Sequence, residues 1–282
     1  MLLIKISSWQ GRLGNNIYQI SNAIKYAQLH NAIFMNDLNH DLIKNFSINF
    51  TNINDNKIII SSVYVHEFFY ENRNNLNLAE RRDICIKYIL PNLLLPISRN
   101  LQNLSNKLYL QIRGEDAFQY VNGSPYYPQP PLCFYTYIIE TYKYDQLEII
   151  TKDMNNPCTQ KLLDLYKNNI KLTFKSLQED IDDLLNAENI LFSSGGTFGK
   201  MVLLCSKNIK NAYTCYNSYD EISDPILCGF NQTNSITDFN IYNYLIHNYI
   251  HYKDWNGTNK DQLNLMVTLD KSNIEFIGIN NT

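Results

Sequence analysis

KLYLQIRGEDAF, residues 107–118, runs from a strand-like stretch, Lys107 to Ile112, straight into a charged turn that opens at Arg113. The same change of period recurs downstream. Pro130-Pro131 open a helical stretch, LCFYTYIIETY, because proline is accommodated in a helix's first turn. Leu147 to Thr151 (LEIIT) is the next strand, Asn156-Pro157 starts a helix through Lys167, and Ile170 to Phe174 (IKLTF) alternates as a short strand does. Ser176-Leu177-Gln178-Glu179 has capping-box spacing and predicts a helix from Leu177 to Ala187, with Ile181, Leu184 and Leu185 on one stripe. Ile190 to Phe192 reads as a buried strand, Thr197 to Ser206 as a helix and Ile209 to Tyr213 as a strand. Strands that alternate with helices in this way form a parallel sheet with crossover helices.

Outward from this core the pattern weakens. Leu2 to Ser7 reads as a strand, followed by a glycine-containing turn and a helix striped by Ile17, Ile20, Ala23, Ile24 and Ala27. Lys57 to Ser62 reads as a strand after a weakly patterned region, and Leu76 to Leu104 as helix interrupted by Pro91 and Pro96. Tyr-rich segments such as Tyr242 to Tyr252 are expected to be helices packing back across the core. The organisation expected is an α/β half over 1–105 and a second over 106–282.

Composition removes several function classes. With 45% hydrophobic and 18% charged residues the chain is globular, and its net charge of −3 lacks the footprint of a general nucleic-acid binder. Six cysteines without a C-x-x-C pair support neither a zinc ribbon nor a redox motif, and are expected as buried thiols. The apolar start is too short for a signal peptide, and no run of about 18 apolar residues occurs, so a cytoplasmic protein without a transmembrane segment is expected. Sequons such as those at Asn103 and Asn231 carry no weight in an Asn-rich chain.

Ligands of parallel α/β sheets sit beyond the carboxyl ends of the strands, where loops present free N–H groups and helix starts. Three segments fall there. The first, Gly11-Arg12-Leu13-Gly14-Asn15-Asn16, is a G-x-x-G turn without the dinucleotide fingerprint. In the second, Arg113 follows a strand directly, and a guanidinium there grips two phosphate oxygens as a diphosphate leaves. An ion pair with Glu115 or Asp116 that closes the strand end is the competing account. The third, Ser193-Ser194-Gly195-Gly196-Thr197-Phe198, offers hydroxyls and free N–H groups suited to phosphate or ribose, or is a plain β–α turn. The P-loop string is absent. Asp180-Ile181-Asp182 spells D-x-D but lies in a predicted helix, whereas metal-binding D-x-D follows a strand, so no metal site is expected.

In this order the segments resemble the α-1,2-fucosyltransferases and, more distantly, the protein O-fucosyltransferases and α-1,6-fucosyltransferases. Gly11, Gly14, Asn15 and Asn16 match a G-x-x-G-N-Q loop with Asn16 in place of Gln. Arg113 and Asp116 match H-x-R-x-G-D, with Gln111 for His and Glu115 for Gly. Ser194, Thr197 and Phe198 match S-x-x-T-F, and Asp180 lies where relatives contact the nucleobase. The resemblance implies a GT-B-like pair of Rossmann-type halves with parallel sheets and a cleft between them. It implies an inverting, metal-independent transfer of fucose from GDP-fucose to a glycan hydroxyl, with no cofactor beyond the donor and with Arg113 neutralising the leaving diphosphate.

An inverting transfer needs a proton acceptor, and Glu115, Asp116 and His66 are the candidates. His247 and His251 lack the Glu of H-E-x-x-H and read as two helix residues. A different nucleotide sugar, or a glycan- or nucleotide-binding module without turnover, fits the same residues. Acceptor, linkage and oligomeric state are not written in the sequence.

Overall fold

The computed structural model describes residues 2–51, 57–61, 76–95, 106–119, 128–193, 196–218, 238–251 and 253–279. In chain order the first part holds β1 (Leu2–Ile6), α1 (Leu13–Leu29), β2 (Ile33–Asn36), β3 (Phe46–Asn49), β4 (Lys57–Ser61) and α2 (Leu78–Ile84). The second part holds β5 (Lys107–Gln111), α3 (Leu132–Tyr142), β6 (Gln146–Ile150), α4 (Pro157–Leu165), β7 (Ile170–Leu172), α5 (Leu177–Asn186), β8 (Asn189–Ser193), α6 (Thr197–Cys205) and β9 (Asn211–Tyr216). It is completed by β10 (Asn240–Ile246), α7 (Lys260–Thr268) and β11 (Ile274–Ile279).

The larger sheet is seven-stranded, ordered β11-β10-β9-β8-β5-β6-β7. All its neighbours run parallel except the β10–β11 pair. With β5 counted as first, the parallel strands lie in the order 3-2-1-4-5-6 of a doubly wound sheet. The chain therefore leaves β5 in one direction through α3 and α4 and returns to the other side of it at β8. The connections leaving the carboxyl ends of β5 and β8 run to opposite faces of the sheet, to α3 and to α6, and this switch opens a crevice.

The smaller sheet is four-stranded, ordered β3-β2-β1-β4, with β3 antiparallel to β2 and the other pairs parallel. Helix α1 buries the predicted stripe of Ile17, Ile20, Ile24 and Ala27. One apolar cluster joins that stripe to Ile181 and Leu184 of α5, Val202 of α6 and Ile190 and Phe192 of β8. The opposite face of the large sheet packs Leu108, Leu110 and Leu191 against Phe134 and Ile138 of α3, Leu162 of α4 and Met266 of α7. The capping box forms as spaced: Glu179 N–H donates to Ser176 Oγ at 3.3 Å and Ser176 N–H to Glu179 Oε2 at 3.0 Å. Beneath α5 the sheet is polar. Glu148 of β6 is bonded by Lys107 and Lys175, and Lys175 also meets Asp183 of α5.

Several expectations need correction. The described part of the expected Tyr242 to Tyr252 helix, up to His251, is not helical: Asn240–Ile246 is strand β10, its rings stacking across strands, as Tyr242 does on Tyr213 at 5.0 Å. Aromatic side chains suit a pleated, half-buried surface, and their period of two prevails. His247 and His251 accordingly lie in turn and loop rather than on a helix. The weakly patterned region before Lys57 contains β2 and β3, and the first sheet is mixed rather than wholly parallel. Within the described part of Leu76 to Leu104, up to residue 95, the helix ends at Asn92: α2 passes into a π turn, Cys85–Ile89, and a 3₁₀ turn, Leu90–Asn92, that carries Pro91. Pro96 and the rest of that stretch lie outside the described residues. Strand β9 begins at Asn211, two residues beyond the expected Ile209. The described cysteines Cys85, Cys133, Cys158, Cys205 and Cys215 are buried thiols, while Cys228 lies outside the described residues.

Candidate functional site

A cavity of about 370 Å³ opens at the switch between β5 and β8. That volume is within the ordinary range for small-molecule sites. Its wall is assembled from separate elements: Arg12 and Leu13 at the start of α1, Arg113, Gly114 and Glu115 after β5, and Thr151 and Lys152 after β6. Leu177 and Asp180 of α5 and Phe198 of α6 complete it. Both sheets contribute because their carboxyl edges meet here. The first turn of α1 approaches α6 so closely that a Cβ on Gly14 would sit 2.6 Å from Thr197 Oγ1 and 2.7 Å from its carbonyl carbon.

Each cation of this wall faces a carboxylate. Arg113 holds Asp116 in a fork, Nη2 to Oδ2 at 2.9 Å and Nε to Oδ1 at 3.2 Å. Arg12 reaches across from α1 to Glu115 Oε2 at 2.9 Å and lies 3.6 Å from Asp116 Oδ2. Lys152 Nζ meets Asp180 Oδ2 at 2.5 Å. Burial alone would raise the Asp116 carboxyl, but the Arg113 hydrogen bonds and the charges of Arg113 and Arg12 hold it below the ordinary value. Burial wins at Asp180, whose carboxyl is raised despite Lys152. An anion entering the cavity would meet guanidinium and ammonium groups that already exchange hydrogen bonds with carboxylates, and a phosphate oxygen can take the place of a carboxylate oxygen in the same fork.

The expected ion pair at the strand end and the expected cavity contact at Arg113 are thus both present. Among the other expected residues, Arg12, Glu115, Asp180 and Phe198 line the cavity, whereas Asp116 stands behind Arg113. Gly11, at φ +70°, turns the loop ahead of α1, and Asn15 packs against it. Asn16 points into the protein: its Nδ2 donates to Gln10 O and Gln19 Oε1, both at 3.1 Å, and His40 Nε2 lies 3.1 Å from its Oδ1. Because His40 Nδ1 accepts from Leu42 N–H, the ring hydrogen belongs on Nε2, and the ring serves as a neutral donor to Asn16. Ser193 is buried at the end of β8, Gly196 caps α6, and Thr197 packs on Gly14. Ser194, Gly195 and His66 lie outside the described residues.

The D-x-D carboxylates of α5 stand two residues apart on a helix, roughly 200° around its axis, so they diverge. Among the described residues, no group of His, Cys, Asp and Glu is placed to hold a metal ion, and no helix is long and apolar enough to cross a membrane.

Lys152, Asp153 and Leu177 went unanticipated. They follow β6 and open α5, and the carboxyl-end rule that singled out Arg113 applies equally to Lys152 after LEIIT. Glu115 also explains itself locally. Its φ of +43° is left-handed, the region glycine enters freely. No known family, curated protein or solved structure matches the chain.

Proposed function

We propose that the chain is an inverting glycosyltransferase that takes a nucleotide-diphosphate sugar into the switch-point cavity and transfers the sugar to a glycan hydroxyl. GDP-fucose is the favoured donor, and the two sheets act as GT-B-like halves with donor and acceptor meeting between them. The observation that carries this reading is the position of Arg113: directly beyond β5, at the edge of a cavity bounded by the starts of α1, α5 and α6. Guanidinium and helix starts together suit a diphosphate.

In this mechanism Arg113 exchanges the Asp116 carboxylate for phosphate oxygens, as Arg12 and Lys152 exchange theirs. The acceptor oxygen attacks the anomeric carbon from the face opposite the diphosphate. As the bond to the phosphate oxygen breaks, its electron pair leaves with the diphosphate, whose growing charge Arg113 neutralises. The acceptor proton passes to a carboxylate at the cavity. Glu115 lines that space and is released when Arg12 turns to the phosphate, whereas Asp116 stands behind Arg113, so Glu115 is assigned the proton.

Thermal-shift titration with GDP, UDP and dTDP tests the reading. A nucleotide at 100 times its dissociation constant adds roughly 2.7 kcal/mol of stability. Stabilisation by UDP alone would move the donor to another nucleotide sugar. Stabilisation by none of the three would remove the nucleotide site. Binding of GDP without any consumption of GDP-fucose would leave a binding module.

A further inference from the structure

Glu115 is a non-glycine residue in the left-handed region, φ +43°, in the segment that carries Arg113. Such a conformation persists only where neighbours over-determine it. Those neighbours come from the loop between β6 and α4. Asp153 Oδ2 accepts the Glu115 N–H at 2.7 Å, and its Oδ1 accepts the Asn155 N–H at 2.8 Å. Thr151 Oγ1 donates to the Asp153 carbonyl at 3.1 Å, which fixes the loop from its other side. The carboxylate is pressed so close to the chain that a Cβ on Gly114 would lie 2.1 Å from Asp153 Oδ1.

Three residues on, Asn156 grips the other end of the same segment. It is fully buried, its Oδ1 caps α4 by accepting from Cys158 N–H at 2.9 Å, and its Nδ2 donates to the Arg113 carbonyl at 3.2 Å. One loop therefore holds the carbonyl of Arg113 and the N–H of Glu115 while leaving both side chains on the cavity wall.

We infer that Asp153 and Asn156 are positioning residues for the cavity: they clasp the Arg113–Glu115 backbone, and Asp153 offsets the left-handed strain that turns the Glu115 carboxylate toward Arg12. Neither is required to touch a ligand. Asp153 acts through the backbone of Glu115, so its importance depends on residue 115 having a side chain.

The test pairs Asp153→Ala, Asp153→Asn and Asn156→Ala with Glu115→Gly and the double variant Asp153→Ala/Glu115→Gly. Each protein is titrated calorimetrically with GDP and unfolded in urea. Asp153→Ala is expected to weaken GDP binding roughly tenfold by displacing Arg113. Asp153→Asn, whose single amide oxygen can still accept from Glu115 N–H while its NH₂ faces Asn155 N–H, restores part of that loss. In the Glu115→Gly background, where the turn is unstrained, Asp153→Ala costs no more than about twofold. Equal losses in both backgrounds, or a lowered urea midpoint with GDP affinity intact, would overturn the inference. The binding arm rests on the proposed function, but the urea arm does not. Should wild type ignore GDP, the nucleotide reading fails and the midpoints decide: coupled shifts at 115 and 153 uphold the clasp, and additive shifts overturn it.

Discussion

Arg12 and Glu115, 103 residues apart in the chain, meet across the cavity with Nη1 2.9 Å from Oε2. The contact joins the loop that opens α1 to the loop that ends β5, and it is solvent-exposed on both sides, 71% and 41% by side chain. Exposed pairs are screened and contribute at most about 1 kcal/mol. Arg12→Ala should therefore leave the urea midpoint nearly unchanged while weakening GDP binding at low salt. The deficit should shrink as salt rises toward about 1 M, where the screening length falls to about 3 Å. Calorimetry at two ionic strengths checks this, and a deficit that ignores salt would show that Arg12 acts through packing.

Gly14 sets how closely the two carboxyl edges approach. An added methyl would meet Thr197 Oγ1 at 2.6 Å and the Thr197 carbonyl oxygen at 2.7 Å, and backbone cannot rotate away as a side-chain tip can. Gly14→Ala is expected to destabilise by about 1–3 kcal/mol through overpacking. Urea denaturation reads this directly. An unchanged midpoint would mean that α1 and α6 slide apart at no cost.

Glu148 makes the protein's stability depend on pH. Burial would raise its carboxyl, but hydrogen bonds from Lys107 and Lys175, with their charges, hold it below the ordinary 4.5. A carboxyl whose pKa is lower in the folded than in the unfolded chain stabilises fully above the unfolded value, and that contribution disappears as pH falls through the folded one. Glu148→Gln should cost up to about 3 kcal/mol at neutral pH, because Lys107 and Lys175 lose their shared partner. The gap between variant and wild type should close below pH 4.5. Urea midpoints across that range test it, and a gap independent of pH would remove the ionic account.

The strand–helix alternation from Lys107 to Tyr216 was legible because each boundary carries its own local chemistry. Pro131, Asn156 and Ser176 all stand at N-cap positions. Where that punctuation is missing, the reading failed. Strands β2 and β3 are four residues each, too short for a period to declare itself, and β10 mixes Tyr and Asn so that inward and outward positions look alike. Arg113 was readable as a residue just past a strand. Lys152 satisfies the same description after β6, but Asp153 does not: its carboxylate matters because it reaches the backbone of Glu115, 38 residues earlier. Asn16, singled out by motif, turned inward because Gln10, Gln19 and His40 use its entire amide, a long-range satisfaction that spacing does not encode.

The role given to Arg113 is to stabilise a departing diphosphate, and the rate of GDP-fucose consumption by wild type, Arg113→Lys and Arg113→Ala tests it most directly. A loss of roughly 10²–10³-fold is predicted for Arg113→Ala, with partial retention for Arg113→Lys, which keeps the charge but not the fork. The urea midpoint should scarcely move, since the Arg113–Asp116 pair is part-exposed. Equal rates in all three proteins would contradict that role.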